Sequence, residues 1–409
     1  MLTELLAHSN LLTQAKKIWV GFSGGIDSSV LLHVLINIPE LASKIQVIHV
    51  NHQLQEAAVD FEKHCLDQCE RWGVPLKVLF LNQKKLPGES LEAYARAGRY
   101  ELFQSCLESG DILVTAHHQE DQVETFLIQL IRGAGVDGLS AMPTLSVLGQ
   151  GYLYRPWLSI SKQAIKNYAQ QHELIWIDDP SNSEIKLERN FWRAEVLPKL
   201  TQRHPGLFKT MARSARNCAA ASELLENFAE KLLEEINGER QKPLPLKLFK
   251  TKSINQQILI LRYWLKSFDL ILSEAQSEVL RTQERLQIGL TDIRVFQNHL
   301  YVIDQSLQKT GDSWEIFWDG QGVLKLPNWP EAITQKSLKA IGIPVGKLDW
   351  SCVSFRNRRK NIAEKVLFPG LTHHRSLKNL FQEKEIPPWL RDSVPLMCQK
   401  GQIIAIVFG

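Results

Sequence analysis

The chain has 409 residues, of which 44% are hydrophobic and 22% are charged, as is typical of a soluble globular protein with two or three domains. No apolar run approaches the roughly 18–20 residues that cross a bilayer, and residues 1–17 predict a short amphipathic helix rather than a signal peptide, so we expect no membrane partner. The six cysteines form no CxxC pair, which argues against a disulfide framework and indicates a cytoplasmic protein with buried thiols.

Strand and helix patterns alternate through the first half of the chain. Apolar strand patterns occur at 18–22, 44–52, 74–81 and 111–118. Helical patterns fill the intervals, ending near Leu35, spanning 57–73 and 88–110, and starting again at Gln119. This alternation predicts an α/β fold with a parallel sheet, in which ligands bind at the carboxyl ends of the strands.

The second half of the chain has a different character from about residue 205. The stretch 205–288 has long helical patterns, and short strand patterns return from about residue 293. We therefore expect an α/β domain at 1–204, a mostly helical middle domain at 205–330 and a small α+β domain at 331–409.

Positive charge is concentrated in the last of these domains. The whole chain has a net charge of +4, whereas residues 331–409 contain 13 Lys and Arg against 6 Asp and Glu. A local basic excess suits a polyanion such as nucleic acid, and a merely solvated surface is the alternative.

The stretch GFSGGIDSS at 21–29 lies between the first predicted strand and the first long helix. Glycines let the backbone approach a ligand closely, and a helix N-terminus presents free N–H groups, so the loop predicts a phosphate cradle. The loop has no Walker A lysine. Asp27 would repel phosphates unless a cation such as Mg²⁺ lies between them. The alternative is that Asp27 only stabilises the helix dipole and that Ser23 only caps the helix.

This loop resembles the SGGxDS loop of the N-type ATP pyrophosphatases, also called PP-loop enzymes, which cleave ATP between its α and β phosphates. The resemblance implies a PP-loop ATP-binding catalytic domain at 1–204. It places adenine near the end of the second strand, around His49–His52. The ATP-binding residues that it implies are Ser23, Gly24, Gly25, Ile26, Asp27, Ser28, Ser29 and His52.

A second motif, HHQEDQVET at 117–125, follows the fourth predicted strand. His117, Asp121 and Glu124 suit a metal site, or the two carboxylates suit an ammonium group. The alternative is that these acids only cap the helix and favour its dipole. The residues alone do not decide between a metal site, an ammonium site and a capping role.

Several further stretches extend the match over nearly the whole chain. Together with the two motifs they resemble the tRNA(Ile)-lysidine synthetase family, and the middle domain is the least matched. The stretches that carry this resemblance are HVNHQL (49–54), YARAGRYELF (94–103), RGAGVDGLSAM (132–142), YRPW (154–157), IDDPSN (177–182), RNFWR (189–193) and SLKNLFQEKEIPPWLRDSVPL (376–396).

The resemblance implies an ATP-dependent ligase acting on a tRNA(Ile) with a CAU anticodon. ATP adenylates the C2 oxygen of the wobble cytidine, and the ε-amine of free L-lysine then displaces AMP. The product, lysidine, converts codon specificity from AUG to AUA and identity from Met to Ile. Asp27 would hold Mg²⁺, Asp121 and Glu124 would bind or deprotonate lysine, and His117 would relay a proton.

Basic residues outside these motifs are candidates for contacts with RNA or ATP phosphates. Arg99, which shares a helix face with Arg96, is a catalytic candidate. The turn with Asp178, Asp179 and Asn182 is expected at the active-site mouth, although it also suits a structural turn. Trp389 suits either base stacking or a core. The predicted tRNA-binding residues are Arg189, Arg193, Arg356, Arg358, Arg359, Lys360, Arg375 and Lys378.

Three other functions fit parts of the sequence. A sulfur-inserting tRNA enzyme would use the same adenylation, but such enzymes typically need a cysteine pair or an iron–sulfur cluster. An amidotransferase would need an ammonia source, and no glutaminase segment is evident. A non-catalytic RNA-binding protein with a decayed loop is disfavoured because Asp27 and Ser28 are intact.

Overall fold

A computed structural model describes residues 9–51, 58–81, 91–177, 188–304, 313–327, 329, 331–358, 365–366 and 375–408. The chain forms two compact units, Met1–Leu224 and Leu225–Gly409. The division into three domains stays a prediction.

The first unit is built on one sheet with the strand order β3-β2-β1-β4-β6-β5. All neighbouring strands run parallel except β5, which pairs antiparallel with β6. The predicted parallel sheet is therefore confirmed, and β1 lies in its middle between β2 and β4. The strands are β1 (Ile18–Gly21), β2 (Ile45–Asn51), β3 (Leu76–Phe80), β4 (Ile112–Val114), β5 (Leu145–Leu148) and β6 (Gly151–Tyr154).

Helices connect the strands from β1 to β5, as the alternating pattern predicts, and a tight turn joins β5 to β6. A π-helical turn, Trp192–Val196, interrupts the helical run near the end of the unit, and the last helix continues into the second unit. The helices are α1 (Ser9–Gln14), α2 (Ile26–Ile36), α3 (Pro39–Ala42), α4 (Ala58–Arg71), α5 (Leu91–Cys106), α6 (Gln119–Ile131), α7 (Val136–Leu139), α8 (Lys162–Gln171), α9 (Glu188–Phe191), α10 (Leu197–Arg203) and α11 (Leu207–Glu235).

The sheet is covered on both faces, which explains the continuous apolar run of β1. Ile18 and Val20 point into one hydrophobic core, and Trp19 between them points into a second core on the opposite face. Parallel strands buried on both sides read as unbroken hydrophobic stretches. The Trp19 indole N–H donates to Asp111 Oδ2 at 3.1 Å, so its polar atom is satisfied inside the core.

The second unit contains two further sheets. The first is antiparallel, with the order β7-β10-β9-β8, and packs with helices around the buried Trp264. Ser253 and Ser273 cap two of these helices through capping boxes. Its elements are β7 (Leu244–Pro245), α12 (Leu246–Phe249), α13 (Ile254–Lys266), α14 (Glu274–Gln283), β8 (Arg285–Ile288), β9 (Thr291–Phe296) and β10 (His299–Asp304).

The last sheet has the order β11-β12-β15-β16-β13-β14 and confirms the α+β character predicted for the end of the chain. Short 3₁₀ helices lie at Val345–Lys347, Trp350–Cys352 and Pro388–Leu390. The other elements are β11 (Glu315–Phe317), α15 (Gln335–Ala340), β12 (Val353–Arg356), β13 (Lys365–Val366), β14 (Arg375–Ser376), α16 (Leu377–Glu383), β15 (Leu396–Gln399) and β16 (Gln402–Ile406).

Trp389 packs against the β9–β10 hairpin within the second unit. Its ring centroid lies 5.7 Å from that of Phe296 and 5.3 Å from that of Tyr301. The Arg294 guanidinium lies 5.3 Å from the same ring centroid. These contacts favour a packing role for Trp389 over base stacking.

Within the ranges given above, no helix combines the length and the hydropathy needed to span a membrane.

Candidate active site

The site lies at the carboxyl ends of β1 and β4. Because β1 pairs with β2 on one side and with β4 on the other, the strand order reverses at this point. Such a reversal opens a crevice where open α/β sheets bind their ligands. Both predicted motifs follow these two strands, so the fold brings together loops about ninety residues apart in the chain.

The loop after β1 folds back on the first turn of α2. The Ser23 backbone N–H donates to Ser28 Oγ at 3.2 Å, and the Gly25 N–H donates to Ser23 Oγ at 3.3 Å. The Gly24 carbonyl accepts the Ile177 N–H at 3.0 Å. These bonds fix the loop before any ligand binds.

Gly24 has a conformation that favours glycine. Its φ is +77°, and a Cβ atom there would lie 3.1 Å from Cys65 Sγ and from His64 Cδ2, and 3.3 Å from Ile177 Cγ2. Gly25 then starts α2, and within the described residues no side chain caps its first-turn N–H groups. A helix start with free N–H groups and a partial positive charge is suited to bind phosphate.

Asp27 lies in the first turn of α2, beside this cradle. Its Oδ1 atom is buried and has no hydrogen-bond partner among the described residues. Burial raises the pKa of Asp27, and the charges of His118, Lys162 and Arg193 oppose this increase. A buried carboxylate oxygen without a partner is a suitable ligand for a cation.

Mg²⁺ needs few protein ligands when phosphate oxygens and water complete its shell. In the described part of the chain, no group of three or more His, Cys, Asp and Glu side chains is arranged to hold a metal ion. Asp27 alone therefore fits a Mg²⁺ ion that is shared with a polyphosphate, and a metal held by protein side chains alone is not supported.

His118 connects the two loops. It precedes α6, where its backbone N–H donates to Asp121 Oδ2 at 3.0 Å in a capping box. Its Nε2 lies 3.5 Å from Asp121 Oδ2 and 3.8 Å from Asp27 Oδ2, and its Nδ1 lies 3.2 Å from Glu120 Oε2. Burial by itself would lower the pKa of His118, but the three carboxylates outweigh burial and raise it.

His117 has a different environment from its neighbour. It is half-buried, and its Nδ1 lies 2.9 Å from Thr115 Oγ1. Burial lowers the pKa of His117, and positive charge from Arg155, Arg96 and Arg189 lowers it further, although Asp121 opposes them. His117 is therefore neutral at physiological pH.

Asp121 and Glu124 lie one turn apart on α6 and share one cation. Arg193 Nη2 donates to Asp121 Oδ1 at 2.7 Å, and Arg193 Nε donates to Glu124 Oε1. Glu124 Oε2 is buried and has no hydrogen-bond partner within the described ranges. Burial raises the pKa of Glu124 despite Arg193. Burial would also raise the pKa of Asp121, but His118, His117 and Arg193 lower it.

The structure therefore groups residues for which the sequence predicts different roles. Arg193, a predicted RNA contact, is paired with the predicted lysine-binding acids. Arg189 is half-buried and acts electrostatically on Glu124 and His117. Arg99 is exposed on α5.

Other side chains position the site without an obvious local signal in the sequence. Glu120 accepts the Lys162 backbone N–H at 2.9 and 3.1 Å and so fixes the start of α8. Gln122 is buried and exchanges two hydrogen bonds of 2.9 Å with the Met142 backbone. Sequence reasoning missed these residues and His118. Their one signal is their place within the HHQEDQVET motif.

The expected adenine region is only partly described. His49 is buried, and its Nδ1 lies 2.9 Å from the Phe22 carbonyl oxygen and 3.4 Å from Cys65 Sγ. Cys65 and Cys69 are buried free thiols, and burial raises the pKa of Cys69 to about 12. His49 therefore contacts the chain at Phe22, immediately before the loop. His52 lies outside the described residues.

The predicted RNA contacts of the tail have different exposures. Arg356 is buried in β12, and Arg358 is half-buried, 3.5 Å from Asp392 Oδ1. Arg375, paired with Glu383, and Lys378 are exposed. The predicted residues that lie outside the described part of the chain are Asp178, Asp179, Asn182, Arg359 and Lys360.

The cradle at the strand-order reversal, with an acid in the first turn of the following helix, defines a PP-loop ATP-binding protein. A family model described as the PP-loop domain matches residues 2–200. A second, described as the TilS substrate C-terminal domain, matches residues 353–408.

Sequence comparisons identify the family. The chain is 35% identical to the tRNA(Ile)-lysidine synthase of Methylococcus capsulatus, over 95% of this chain and 90% of the relative. It is 35% identical to that of Coxiella burnetii, over 99% of this chain and 91% of the relative. The chain belongs to the tRNA(Ile)-lysidine synthase family, and the resemblance seen in its motifs is confirmed.

Among solved structures, the U34-tRNA thiolase NcsA from Methanococcus maripaludis with its 4Fe–4S cluster matches with a TM-score of 0.43 and 18% identity. The match covers 53% of this chain and 77% of that chain.

Proposed function

We propose that this protein joins lysine to C2 of the wobble cytidine in a tRNA(Ile) with a CAU anticodon, at the expense of ATP. One observation supports this proposal above the others. His118 lies 3.8 Å from Asp27 at the phosphate cradle and 3.5 Å from Asp121 of the acidic pair. An anion site and a cation site are therefore adjacent, as a reaction that activates an oxygen with ATP and then adds an amine requires.

The cradle binds the polyphosphate of ATP in this proposal. Backbone N–H groups at the start of α2 and the exposed hydroxyl of Ser23 donate to phosphate oxygens. Ser28 and Ser29 are buried, and the Ser28 hydroxyl donates to the Gly25 carbonyl at 3.0 Å, so these two residues are suited to shape the loop. Asp27 holds Mg²⁺, which when bound neutralises charge on the departing diphosphate. From the sequence alone, we assign His52 to the adenine side and Arg99 to the phosphates.

Adenylation makes the cytidine C2 reactive. The C2 oxygen attacks the α-phosphorus, and diphosphate leaves. The lysine ε-amine then adds to C2, and AMP departs with the former C2 oxygen. The amine proton must pass to a base. The donors of the cradle stabilise the negative charge that develops on phosphate, which is the largest contribution expected from such a site.

Asp121 and Glu124 hold the lysine ε-ammonium and accept its proton. A free amine of this kind has an ordinary pKa near 10.4, so an acceptor in contact with it must remove the proton. Burial raises the pKa of Glu124 and makes it the stronger base of the pair. His117, whose pKa burial lowers, is neutral and suited to relay a proton onward.

The tRNA binds to basic residues in two regions. Arg189 lies beside the acidic pair and is the candidate there, whereas Arg193 is already bonded to Asp121 and Glu124 and is a weaker candidate for RNA. In the tail, Arg375 and Lys378 are exposed and suited to phosphate contacts, whereas Arg356 is buried and is a weaker candidate. We extend the proposal to Arg358, Arg359 and Lys360, and we place the activity in the cytoplasm, where tRNA is found.

The test is AMP release from ATP with purified protein, L-lysine and a CAU tRNA(Ile) transcript. We expect AMP only when both lysine and this tRNA are present, and a tRNA product heavier by one lysyl group. The same transcript with uridine at the wobble position is the control and should give no AMP. AMP release that depends on a sulfur donor or on ammonia would instead support one of the rival enzyme classes.

A further inference from the structure

The acidic pair, Asp121 and Glu124, is already bonded to a positively charged side chain of the protein itself. Arg193 Nη2 lies 2.7 Å from Asp121 Oδ1, and Arg193 Nε bonds Glu124 Oε1. The Glu124 side chain is only 1% exposed, and that of Asp121 is 11% exposed. Two such carboxylates are stable together only when a positive charge neutralises them. The lysine ammonium and the Arg193 guanidinium therefore compete for the same oxygens.

The backbone around Arg193 differs from an ordinary helix. Arg193 lies in the π-helical turn Trp192–Val196, which connects α9 to α10. Turns of this kind are rare and occur frequently at functional sites. The Arg193 side chain is 36% exposed, so it approaches the acids from the solvent side and does not have to cross the core to leave them.

The cradle offers Arg193 an alternative partner. Besides the acidic pair, Arg193 is attracted by Asp27, and the other positive groups that act on these three acids include His118, Lys162 and Arg189. ATP brings several negative charges to the side of Asp27. A guanidinium binds phosphate oxygens well because its donors match their geometry.

We propose that Arg193 is an exchangeable counter-ion, which neutralises Asp121 and Glu124 before nucleotide binds and moves to the ATP phosphates afterwards. The move frees the acidic pair for the lysine ammonium. This inference rests on the proposed role of these acids in lysine binding. It predicts an ordered reaction in which lysine binds tightly only after ATP.

Calorimetric titration of lysine tests the order directly. α,β-Methylene ATP with Mg²⁺ is the nucleotide because its α–β linkage resists cleavage. For the wild type, we expect lysine affinity to increase at least tenfold when the analogue is present. For Arg193→Gln, the affinity should be high with or without the analogue, because no internal cation competes. For Arg193→Lys, which keeps the charge, the dependence on nucleotide should remain.

The matched control is Arg132→Gln, which removes an exposed arginine paired with Glu188 on the surface. It should preserve the nucleotide dependence of the wild type. Equal lysine affinity of the wild type with and without the analogue would overturn this inference alone. Loss of lysine binding in Arg193→Gln with the analogue present would show that Arg193 only positions the acids, and would also overturn it. Absence of lysine binding under every condition would overturn the proposed function as well.

Discussion

A methyl group at Gly24 should damage the ATP site more than the same change at another left-handed glycine. At Gly24 φ is +77°, and the new Cβ would lie 3.1 Å from both Cys65 Sγ and His64 Cδ2. The left-handed conformation costs about 1–2 kcal/mol for alanine, and the tight contacts add about 1–3 kcal/mol. Gly73 has φ +63°, and within the described residues nothing lies within 4 Å of its Cβ position. Gly73→Ala should therefore lose stability only through its backbone conformation.

The two variants therefore separate backbone strain from crowding of the loop. Urea unfolding should show Gly24→Ala to be less stable than Gly73→Ala by about 1–3 kcal/mol. Binding of α,β-methylene ATP should weaken at least tenfold in Gly24→Ala, because any relief of the contacts moves the N–H groups that bind phosphate. Gly73→Ala should bind the nucleotide like the wild type.

The comparison has a clear negative result. If both variants unfold at the same urea concentration and bind the analogue equally, the loop tolerates a side chain. The reasoning that links Gly24 to the cradle would then be wrong.

Three further predictions follow from the site and the tail. Asp27→Asn should lower AMP formation about 100-fold or more and leave tRNA affinity unchanged. The control Asp60→Asn, at an exposed first-turn acid of α4, should change neither quantity. Equal loss of activity and of tRNA binding in Asp27→Asn would contradict the metal role. Neighbouring carboxylates raise the pKa of His118, so its contribution to stability is full below its unfolded pKa of about 6.5 and is lost as pH rises through the higher folded value. The difference in unfolding free energy between the wild type and His118→Gln should therefore shrink as pH rises above about 6.5, and a constant difference would refute the pairing. The double change Arg375→Gln with Lys378→Gln should weaken tRNA binding and leave ATP affinity unchanged. The slope of log tRNA affinity against log salt concentration should become shallower by about 2. An unaltered slope would show that these two residues do not contact tRNA phosphates.

The fold was largely predictable because its signals are local. The apolar run of β1 and the glycine pair at 24–25 predict a strand, a tight turn and a helix without knowledge of the rest of the chain. The predicted strand 111–118 was too long, because β4 ends at Val114. Beyond Val114 the pairing is reduced to a hydrogen bond from the Thr115 N–H to the Tyr154 carbonyl and a single bridge between His118 and Trp157. His118 also caps α6, and a capping histidine does not stand out by composition.

The detailed site was less predictable because its central contact is long-range. Arg193 is separated from Asp121 by 72 residues and from Glu124 by 69 residues. No periodic pattern links an arginine after α9 with acids on α6, so the sequence predicts a surface contact with RNA for Arg193. The sequence also does not show which of His117 and His118 faces the acids. Neighbouring side chains in an extended segment face opposite ways, so only the fold decides which of the two does.

The arrangement of charges would allow one crevice to bind two chemically different ligands. The N-terminus of α2 is positive and attracts phosphate, whereas Asp27, Asp121 and Glu124 attract cations. If every charge were fixed in place, the positive N-terminus of α2 and the three acids would neutralise each other, and the crevice would bind neither phosphate nor an ammonium group well. His118 is held between the acids, and Arg193 is the cation with access to solvent on one side and to the acidic pair on the other. A polyanion bound beside Asp27 therefore attracts Arg193 away from Asp121 and Glu124. The phosphate side and the acidic side of the site are then linked through this single side chain.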